Sequence, residues 1–76
     1  MKQVTREDFN KQLDSMLYLY NPHSGLAFRT YSDNGLLKAF FKCKGGDERE
    51  VDASDDDYTE CWLFRITLTK EEYERY

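Results

Sequence analysis

Residues 26–42, LAFRTYSDNGLLKAFFK, carry the strongest structural signal in the chain. Asn34-Gly35 at their centre is typical of a two-residue type I′ hairpin turn, because both turn positions require a positive φ. Counting residues from the turn places Phe28 opposite Phe41 on an apolar face, and it leaves a basic, aromatic face on the other side. Turn chemistry and hydrophobic alternation therefore predict the same register.

Residues 5–20 predict an N-terminal helix. Thr5 is placed to cap its first turn, and the apolar side chains recur at helical spacing as one stripe, Phe9, Leu13, Met16, Leu17 and Tyr20. Asn21-Pro22 ends the helix, because a residue that precedes proline is disfavoured in the helical region. We expect the stripe to pack across the apolar face of the hairpin.

Residues 61–67 predict a third strand, whose apolar face continues to Leu68. Thr69 and Glu72 then form a capping box for a short helix over residues 70–76, with Leu68 and Tyr73 as its hydrophobic staple. The chain is therefore predicted to be one small α+β domain over residues 1–76. Its expected architecture is a three-stranded antiparallel meander with the N-terminal helix packed on one face and a short C-terminal helix (α-β-β-β-α).

The net charge of −4 is distributed unevenly. Between residues 47 and 60, eight acids accompany the single base Arg49, so this segment carries −7 and the rest of the chain +3. A mildly basic body with one concentrated acidic segment has a dipolar surface suited to different partners. The acids that we expect to contact a partner are Glu48, Glu50, Asp52, Asp55, Asp56, Asp57 and Glu60.

Residues 45–59 are predicted to form an exposed acidic loop. Extending the hairpin register into this segment would set two bases opposite each other and turn acids towards the core. The alternative is a short edge strand over residues 50–53. A connection of about fifteen residues is long for a compact domain, and such loops are usually functional or disordered. We expect partial order, with the two large apolar side chains of the segment, Val51 and Tyr58, docked against the sheet edge.

The outer face of the predicted sheet is a second candidate surface, comprising Arg29, Tyr31, Lys38, Phe40, Lys42, Lys44 and Arg65. Several single-stranded nucleic-acid-binding proteins present aromatics among lysines and arginines in this way, stacking bases and following the backbone. The alternative is a set of cation–π and cross-strand pairs, partly covered by the C-terminal helix through Tyr73 and Tyr76.

The chain offers few groups for catalysis. His23 is the sole histidine, and it lies in a polar turn that no nucleophile motif flanks. Cys43 is predicted on the core face and Cys61 on the other face, so no disulfide between them is expected, and neither has metal-ligand spacing. The consecutive aspartates of residues 55–57 do not match a calcium-binding loop. We expect no catalytic residues, no metal and no cofactor.

Length and cysteine usage limit the class of protein further. No apolar run approaches the roughly 20 residues that a bilayer span needs, and no signal peptide is expected. Two cysteines are too few for a disulfide scaffold. We therefore expect a cytoplasmic protein.

These features favour a small, acidic, non-enzymatic binding protein. In general character the chain resembles the small inhibitors that phages and mobile elements make against host nucleases and other nucleic-acid enzymes. The acidic segment would then mimic nucleic acid and occupy a nucleic-acid-handling protein. The alternatives are a single-stranded nucleic-acid-binding module that uses the basic face, and a regulatory subunit of a larger complex.

Overall fold

The computed structural model describes residues 1–12 and 15–76, and three helices and six strands lie in that part of the chain. In chain order they are β1 (Lys2–Gln3), α1 (Arg6–Gln12), β2 (Leu17–Asn21), β3 (Leu26–Asp33), β4 (Leu36–Lys42), β5 (Arg49–Val51), α2 (Asp56–Phe64), β6 (Ile66–Thr67) and α3 (Lys70–Arg75). The strands form one sheet in the order β1-β6-β2-β3-β4-β5, and every neighbouring pair is antiparallel. The α+β class is confirmed, but the described sheet has six strands instead of three, and there are three helices instead of two.

The central hairpin is confirmed. Asn34 and Gly35 have φ values of 53° and 82°, as a type I′ turn requires. Phe28 lies opposite Phe41, and their ring centroids are 6.2 Å apart. Every pair between Ala27 and the turn keeps the register predicted from the sequence.

The predicted helix over residues 5–20 is wrong in its second half. α1 ends at Gln12, and Leu17–Asn21 is instead strand β2, paired with β3. The Thr5 cap is confirmed, because its Oγ1 accepts the Asp8 N–H at 3.1 Å. Of the predicted stripe, Leu13 lies outside the described residues, and Met16 is exposed. The short apolar run fits both a helical and a strand period, and pairing with β3 decides between them.

The predicted third strand over residues 61–67 is also wrong for most of its length. Residues Asp56–Phe64 form α2, whose N-cap is Asp55, and only Ile66–Thr67 is extended as β6. The Asp55 carboxylate accepts the Tyr58 N–H at 3.1 Å, and acids in the first turn favour a helix through its dipole. These local signals favour a helix that begins at residue 56, and the burial of Tyr58 and Cys61 on the sheet decides between the helical and the strand period of the segment.

The predicted acidic loop over residues 45–59 contains β5 and the start of α2, so the edge-strand alternative is closer to the structure. The register of β5 against β4 differs by one residue from a continued hairpin register, which would place Lys42 opposite Arg49. Arg49 lies opposite Phe41, and Val51 lies opposite Ala39. This shift turns Val51 towards the core and Glu50 towards the outer face.

The main core lies between one face of the sheet and the helices α1 and α2. Phe28 and Tyr58 pack there with ring centroids 5.9 Å apart, and Phe9 of α1 meets Trp62 of α2 at 5.3 Å. Val51 and Tyr58 both dock as predicted, but Tyr58 lies in the centre of the core instead of at the sheet edge. The helix lying over Phe28 is therefore α2, whereas the sequence predicted the N-terminal helix.

The opposite face of the sheet, called the outer face below, is partly covered by α3. Thr69 and Glu72 form the predicted capping box, with both hydrogen bonds present at 3.1 and 2.9 Å. Leu68 and Tyr73 are both buried, and they form a small cluster with three further tyrosines, Tyr18, Tyr20 and Tyr76. None of the described helices is long and apolar enough to cross a membrane.

Candidate functional site

The acidic side chains predicted to contact a partner lie on three neighbouring elements. Glu48 and Glu50 belong to the edge strand β5 and the residue before it, Asp52 and Asp55 to the turn that follows, and Asp56, Asp57 and Glu60 to α2. The segment is therefore ordered by a strand and a helix. Its acids point to more than one side of the molecule.

Edge strand β5 directs its acids to the outer face. Glu48 contacts Arg29 and Tyr73 on that face. Glu50 is two residues further along the strand, so its side chain points to the same face. Val51 points the opposite way, because it packs against the core. Asp52 occupies the next alternate position, where its carbonyl oxygen accepts the Asp55 N–H at 2.9 Å as the chain turns.

Asp52 and Asp55 hold the turn between β5 and α2. The Oδ1 atom of Asp52 accepts the Ser54 N–H at 2.8 Å and the Ser54 hydroxyl at 2.7 Å, and these hydrogen bonds lower the pKa of Asp52. Asp55 is the N-cap of α2. Glu50 and Asp56 are exposed, and Asp57 is half-buried. Glu50, Asp56 and Asp57 are thus the acids of this segment that are available to a partner without loss of the turn.

Glu60 is separated from these acids and serves the β2–β3 turn. Its Oε1 accepts the side-chain amide of Asn21 at 3.0 Å, and its Oε2 lies 3.3 Å from Nδ1 of His23. The hydrogen bond from Asn21 lowers the pKa of Glu60. Burial opposes this shift, and the contact with His23 lowers the pKa further. We therefore assign Glu60 a mainly structural role, and its contact with a partner stays a prediction.

Most acids of the segment have no neighbouring cation. Within residues 1–12 and 15–76, Glu48 forms an ion pair with Arg29, and the Glu60 carboxylate lies beside the His23 ring. In that same part of the chain, no basic nitrogen lies within 4.0 Å of the carboxylates of Glu50, Asp52, Asp55, Asp56 and Asp57. The rim formed by β5 and the first turn of α2 therefore carries five acids without an ion-pair partner in the described chain.

The predicted basic face is assembled only in part. Its members on β3 and β4 share the outer face as expected, namely Arg29, Tyr31, Lys38, Phe40 and Lys42. Lys44 lies beyond β4 and lines a recess beside α3 with Tyr76 and Glu72. Arg65 is at the C-cap of α2, where its Nε donates to the Val4 carbonyl oxygen at 3.1 Å. Its predicted place on the basic face requires a strand over residues 61–67, and most of that segment is helical instead.

Arg29 is engaged within the protein. It forms a bidentate pair with Glu48, at 2.6 Å from Nη2 and 3.0 Å from Nε, and its guanidinium carbon lies 4.3 Å from the Phe40 ring centroid. The Tyr73 hydroxyl donates to the same carboxylate at 2.6 Å. The Arg29 hydrogen bond lowers the pKa of Glu48, while burial and then the Glu48 contact raise the pKa of Tyr73.

The covered part of the outer face is the half beneath α3. Lys42 places Nζ 4.5 Å from the Tyr73 ring centroid and donates to the Glu74 carbonyl oxygen at 3.3 Å. The C-terminal helix α3 therefore covers this face in part, which is the alternative that the sequence left open. Tyr31 and Phe40 form a stacked pair outside this contact, with ring centroids 6.3 Å apart and both side chains half-buried.

The two cysteines are on the opposite sides to those predicted. Cys61 is fully buried on the core-facing side of α2, whereas Cys43 is exposed, and both are free thiols. Burial and the charge of Asp57, followed by other nearby acids, raise the pKa of Cys61 to about 12. This thiol therefore stays protonated at neutral pH. In the part of the chain that the structure describes, no group of three His, Cys, Asp or Glu side chains is placed to hold a metal ion.

Sequence reasoning missed the structural importance of Asn21. Its side chain is fully buried and accepts the N–H groups of His23 and Ser24 at 2.8 and 3.1 Å, while its amide donates to α2. Asparagine followed by proline in a polar turn is a signal for this Asx-turn geometry. Its position before Pro22 predicts only the end of a helix.

Comparisons with protein-family models, curated proteins and solved structures find no match to this chain.

Proposed function

We propose that this chain is a non-enzymatic cytoplasmic protein that binds a nucleic-acid-handling protein through its acidic rim. The rim consists of Glu50 on β5 and of Asp56 and Asp57 at the start of α2, with Asp52 and Asp55 holding the turn between them. The observation that supports this function is that these acids are ordered but not paired with cations of the described chain.

Fixed acids suit recognition of a cationic surface. Proteins that bind nucleic acids carry lysines and arginines for the phosphate backbone, and this surface attracts any complementary negative array. Carboxylates already held by a strand and a helix lose less conformational entropy on binding than those of a mobile loop. The rim would therefore compete with nucleic acid by occupying the same cationic surface.

The cysteines support the cytoplasmic part of the proposal. Cys43 is exposed and Cys61 is buried, and each is a free thiol. An exposed free cysteine is compatible with a reducing compartment, whereas small secreted domains usually rely on disulfides.

The decisive variant neutralises the rim without removing its structural acids. The variant Glu50→Gln/Asp56→Asn/Asp57→Asn keeps the hydrogen bonds of Asp52 to Ser54 and the helix cap made by Asp55. A matched control with the same change in charge is Glu7→Gln/Glu71→Gln/Glu74→Gln, which alters exposed acids of α1 and α3. Each protein would be immobilised and used to capture partners from a host lysate, with captured proteins identified by mass spectrometry.

We expect the rim variant to lose its main captured protein and the control to keep it. Added single-stranded or duplex DNA should release that protein from the unmodified chain, because both ligands use one cationic surface. Recovery that is equal for the rim variant and the control would refute the proposed use of the rim.

A second candidate function is direct binding of single-stranded nucleic acid by the outer face. The stacked, half-buried pair of Tyr31 and Phe40 favours it, together with half-buried Lys38 opposite Tyr31. Filter binding at low and moderate salt should then show affinity that falls steeply with salt and is weakened by Tyr31→Ala. Absence of binding at low salt would exclude this candidate. The Arg29–Glu48 pair makes it the weaker one, because this arginine is already neutralised.

A further inference from the structure

The backbone of β5 has an open side. In the sheet formed by the described strands, β5 is terminal next to β4. The two-residue turn makes Asp33 and Leu36 a hydrogen-bonded pair, and antiparallel hydrogen bonding then alternates along β4. Ala39 and Phe41 consequently direct their N–H and C=O groups towards β5.

This alternation determines which groups of β5 face outward. Arg49 and Val51 lie opposite Phe41 and Ala39, so their backbone groups are used by β4. The N–H and C=O of Glu50 therefore point away from the sheet. The same alternation, carried across β3 to β2, turns the Tyr18 carbonyl towards β6, where it accepts the Leu68 N–H at 2.8 Å.

The side chains along this edge also alternate in charge. Glu48, Glu50 and Asp52 occupy every second position, with Glu48 and Glu50 on the outer face, while Arg49 and Val51 lie between them on the other side. Glu48 is already bound by Arg29 and Tyr73. An added strand would thus meet the carboxylate of Glu50 and, at the next alternate position, the Oδ2 atom of Asp52, whose Oδ1 is held by Ser54.

We propose that the partner adds an extended segment to the edge of β5, with basic residues at alternate positions beside Glu50 and Asp52. This inference rests on the proposed function and specifies how the acidic rim is recognised. Strand addition supplies main-chain hydrogen bonds, and alternate side chains supply specificity. Arg49 disfavours a basic side chain on the other side of the added strand, so alternation is preferred to a continuous basic run.

Charge complementarity selects a basic segment over a second copy of this chain. Two antiparallel β5 strands related by a two-fold axis at Glu50 would set Glu50 opposite its own copy and Glu48 opposite Asp52. Like charges placed directly opposite each other in a sheet are destabilising. Charged side chains at an edge also protect against such self-pairing.

The test uses two short peptides of identical composition. One alternates lysine and valine, and the other places all its lysines before its valines. Binding to the intact protein would be measured by titration calorimetry, and exchange of the Glu50 amide proton by NMR. We expect the alternating peptide to bind about tenfold more tightly and to slow exchange at Glu50, as an added hydrogen-bonded strand requires.

A pair of variants separates backbone pairing from charge. Glu50→Gln and Glu50→Pro remove the same charge, but only proline removes the outward N–H, and edge strands tolerate proline there. We expect Glu50→Pro to bind the alternating peptide about tenfold more weakly than Glu50→Gln. Circular dichroism would confirm that both variants fold. If the proline variant unfolds, the comparison of peptides on the unmodified protein decides the question.

The outcomes distinguish this inference from the proposed function. Equal affinity for both peptides with unchanged Glu50 exchange would overturn strand addition, even if the rim variant loses its captured protein. Absence of binding of either peptide would overturn it as well and would leave the edge charges a protection against self-pairing. Failure of the rim variant to lose the captured protein would instead refute the proposed function.

Discussion

The hydroxyl of Tyr58 lies 2.8 Å from the hydroxyl of Thr30 in the centre of the core, where the two residues are only 1% and 2% exposed. Thr30 also donates to the Lys38 carbonyl oxygen at 2.9 Å, so Tyr58 is the donor in the contact between the two side chains. This hydrogen bond joins α2 to the middle of the sheet. It connects the acidic segment to the core through the residue that follows its three aspartates.

The two partners of this hydrogen bond should differ in their effect on stability. Tyr58→Phe leaves Thr30 bonded to Lys38, so we expect a loss of about 1 kcal/mol in the free energy of unfolding. Thr30→Val leaves the Tyr58 hydroxyl buried without an acceptor and should cost about 1–3 kcal/mol. Urea unfolding measures both. A double variant that costs as much as the two single variants combined would show that the hydroxyls do not interact.

The Asn21 side chain should be among the most sensitive polar groups in the protein. It is fully buried and bonded to the β2–β3 turn and to α2, so Asn21→Ala leaves several groups without their partner. We expect a loss of about 2–4 kcal/mol in unfolding free energy, measured by urea titration. Asn10→Ala, on the exposed side of α1, is the control and should change stability little. Similar small losses for both would contradict the assigned role of Asn21.

Stability should fall in acid partly through Glu48. The hydrogen bond from Arg29 lowers the pKa of Glu48 in the folded protein. Ionised Glu48 therefore stabilises the fold fully above the ordinary glutamate pKa of about 4.3. This stabilisation is lost as the pH falls through the lower pKa of the folded state. We expect Glu48→Gln to be less stable than the unmodified protein at pH 7, with a smaller further loss below about pH 4. Thermal melts across this range measure the effect.

A matched variant controls for the change in net charge. Glu7→Gln alters a carboxylate on α1 whose side chain is 81% exposed. We expect its dependence of melting temperature on pH to follow that of the unmodified protein. If Glu48→Gln also follows that curve, the Arg29 pair does not contribute to acid sensitivity.

The two thiols should react at very different rates. Cys43 is exposed, whereas Cys61 is fully buried and burial raises its pKa to about 12. At pH 8 we expect iodoacetamide to modify Cys43 rapidly, and Cys61 only when urea unfolds the protein. Peptide mass spectrometry identifies the modified residue. Modification of both thiols at one rate under native conditions would place Cys61 outside the core.

Phenylalanines of the central hairpin test how each face is covered. Phe28 is fully buried, so Phe28→Ala should cost about 3–5 kcal/mol. Phe41 packs on the core and Phe40 lies under Arg29, and both side chains are half-buried. We expect Phe41→Ala and Phe40→Ala each to cost less unfolding free energy than Phe28→Ala. The two losses should be similar, although strand alternation alone would bury Phe41 and expose Phe40. Thermal melts that show Phe40 to be as sensitive as Phe28 would contradict this ranking.

The turns and helix caps that depend on residues close together in the chain were predicted correctly from the sequence. The hairpin register follows from the Asn34-Gly35 turn, which accommodates two positive φ values. Thr5 and Thr69 cap α1 and α3 because a hydroxyl can accept an N–H three residues further along the chain. These interactions need no distant part of the molecule. The concentration of acids in residues 47–60 was visible for the same reason.

Where a segment packs against residues far away in the chain, only the tertiary structure decided whether it is a helix or a strand. Leu17–Asn21 fits both a helix and a strand, and it is a strand because its backbone pairs with β3 and β6. Cys61 and its neighbours also fit both periods, and they form a helix that buries Tyr58 and Cys61 on the sheet. The position of Val51 depends on a one-residue shift against β4. Short apolar runs satisfy more than one period, so the partner that buries them determines the element and the direction of each acidic side chain beside it.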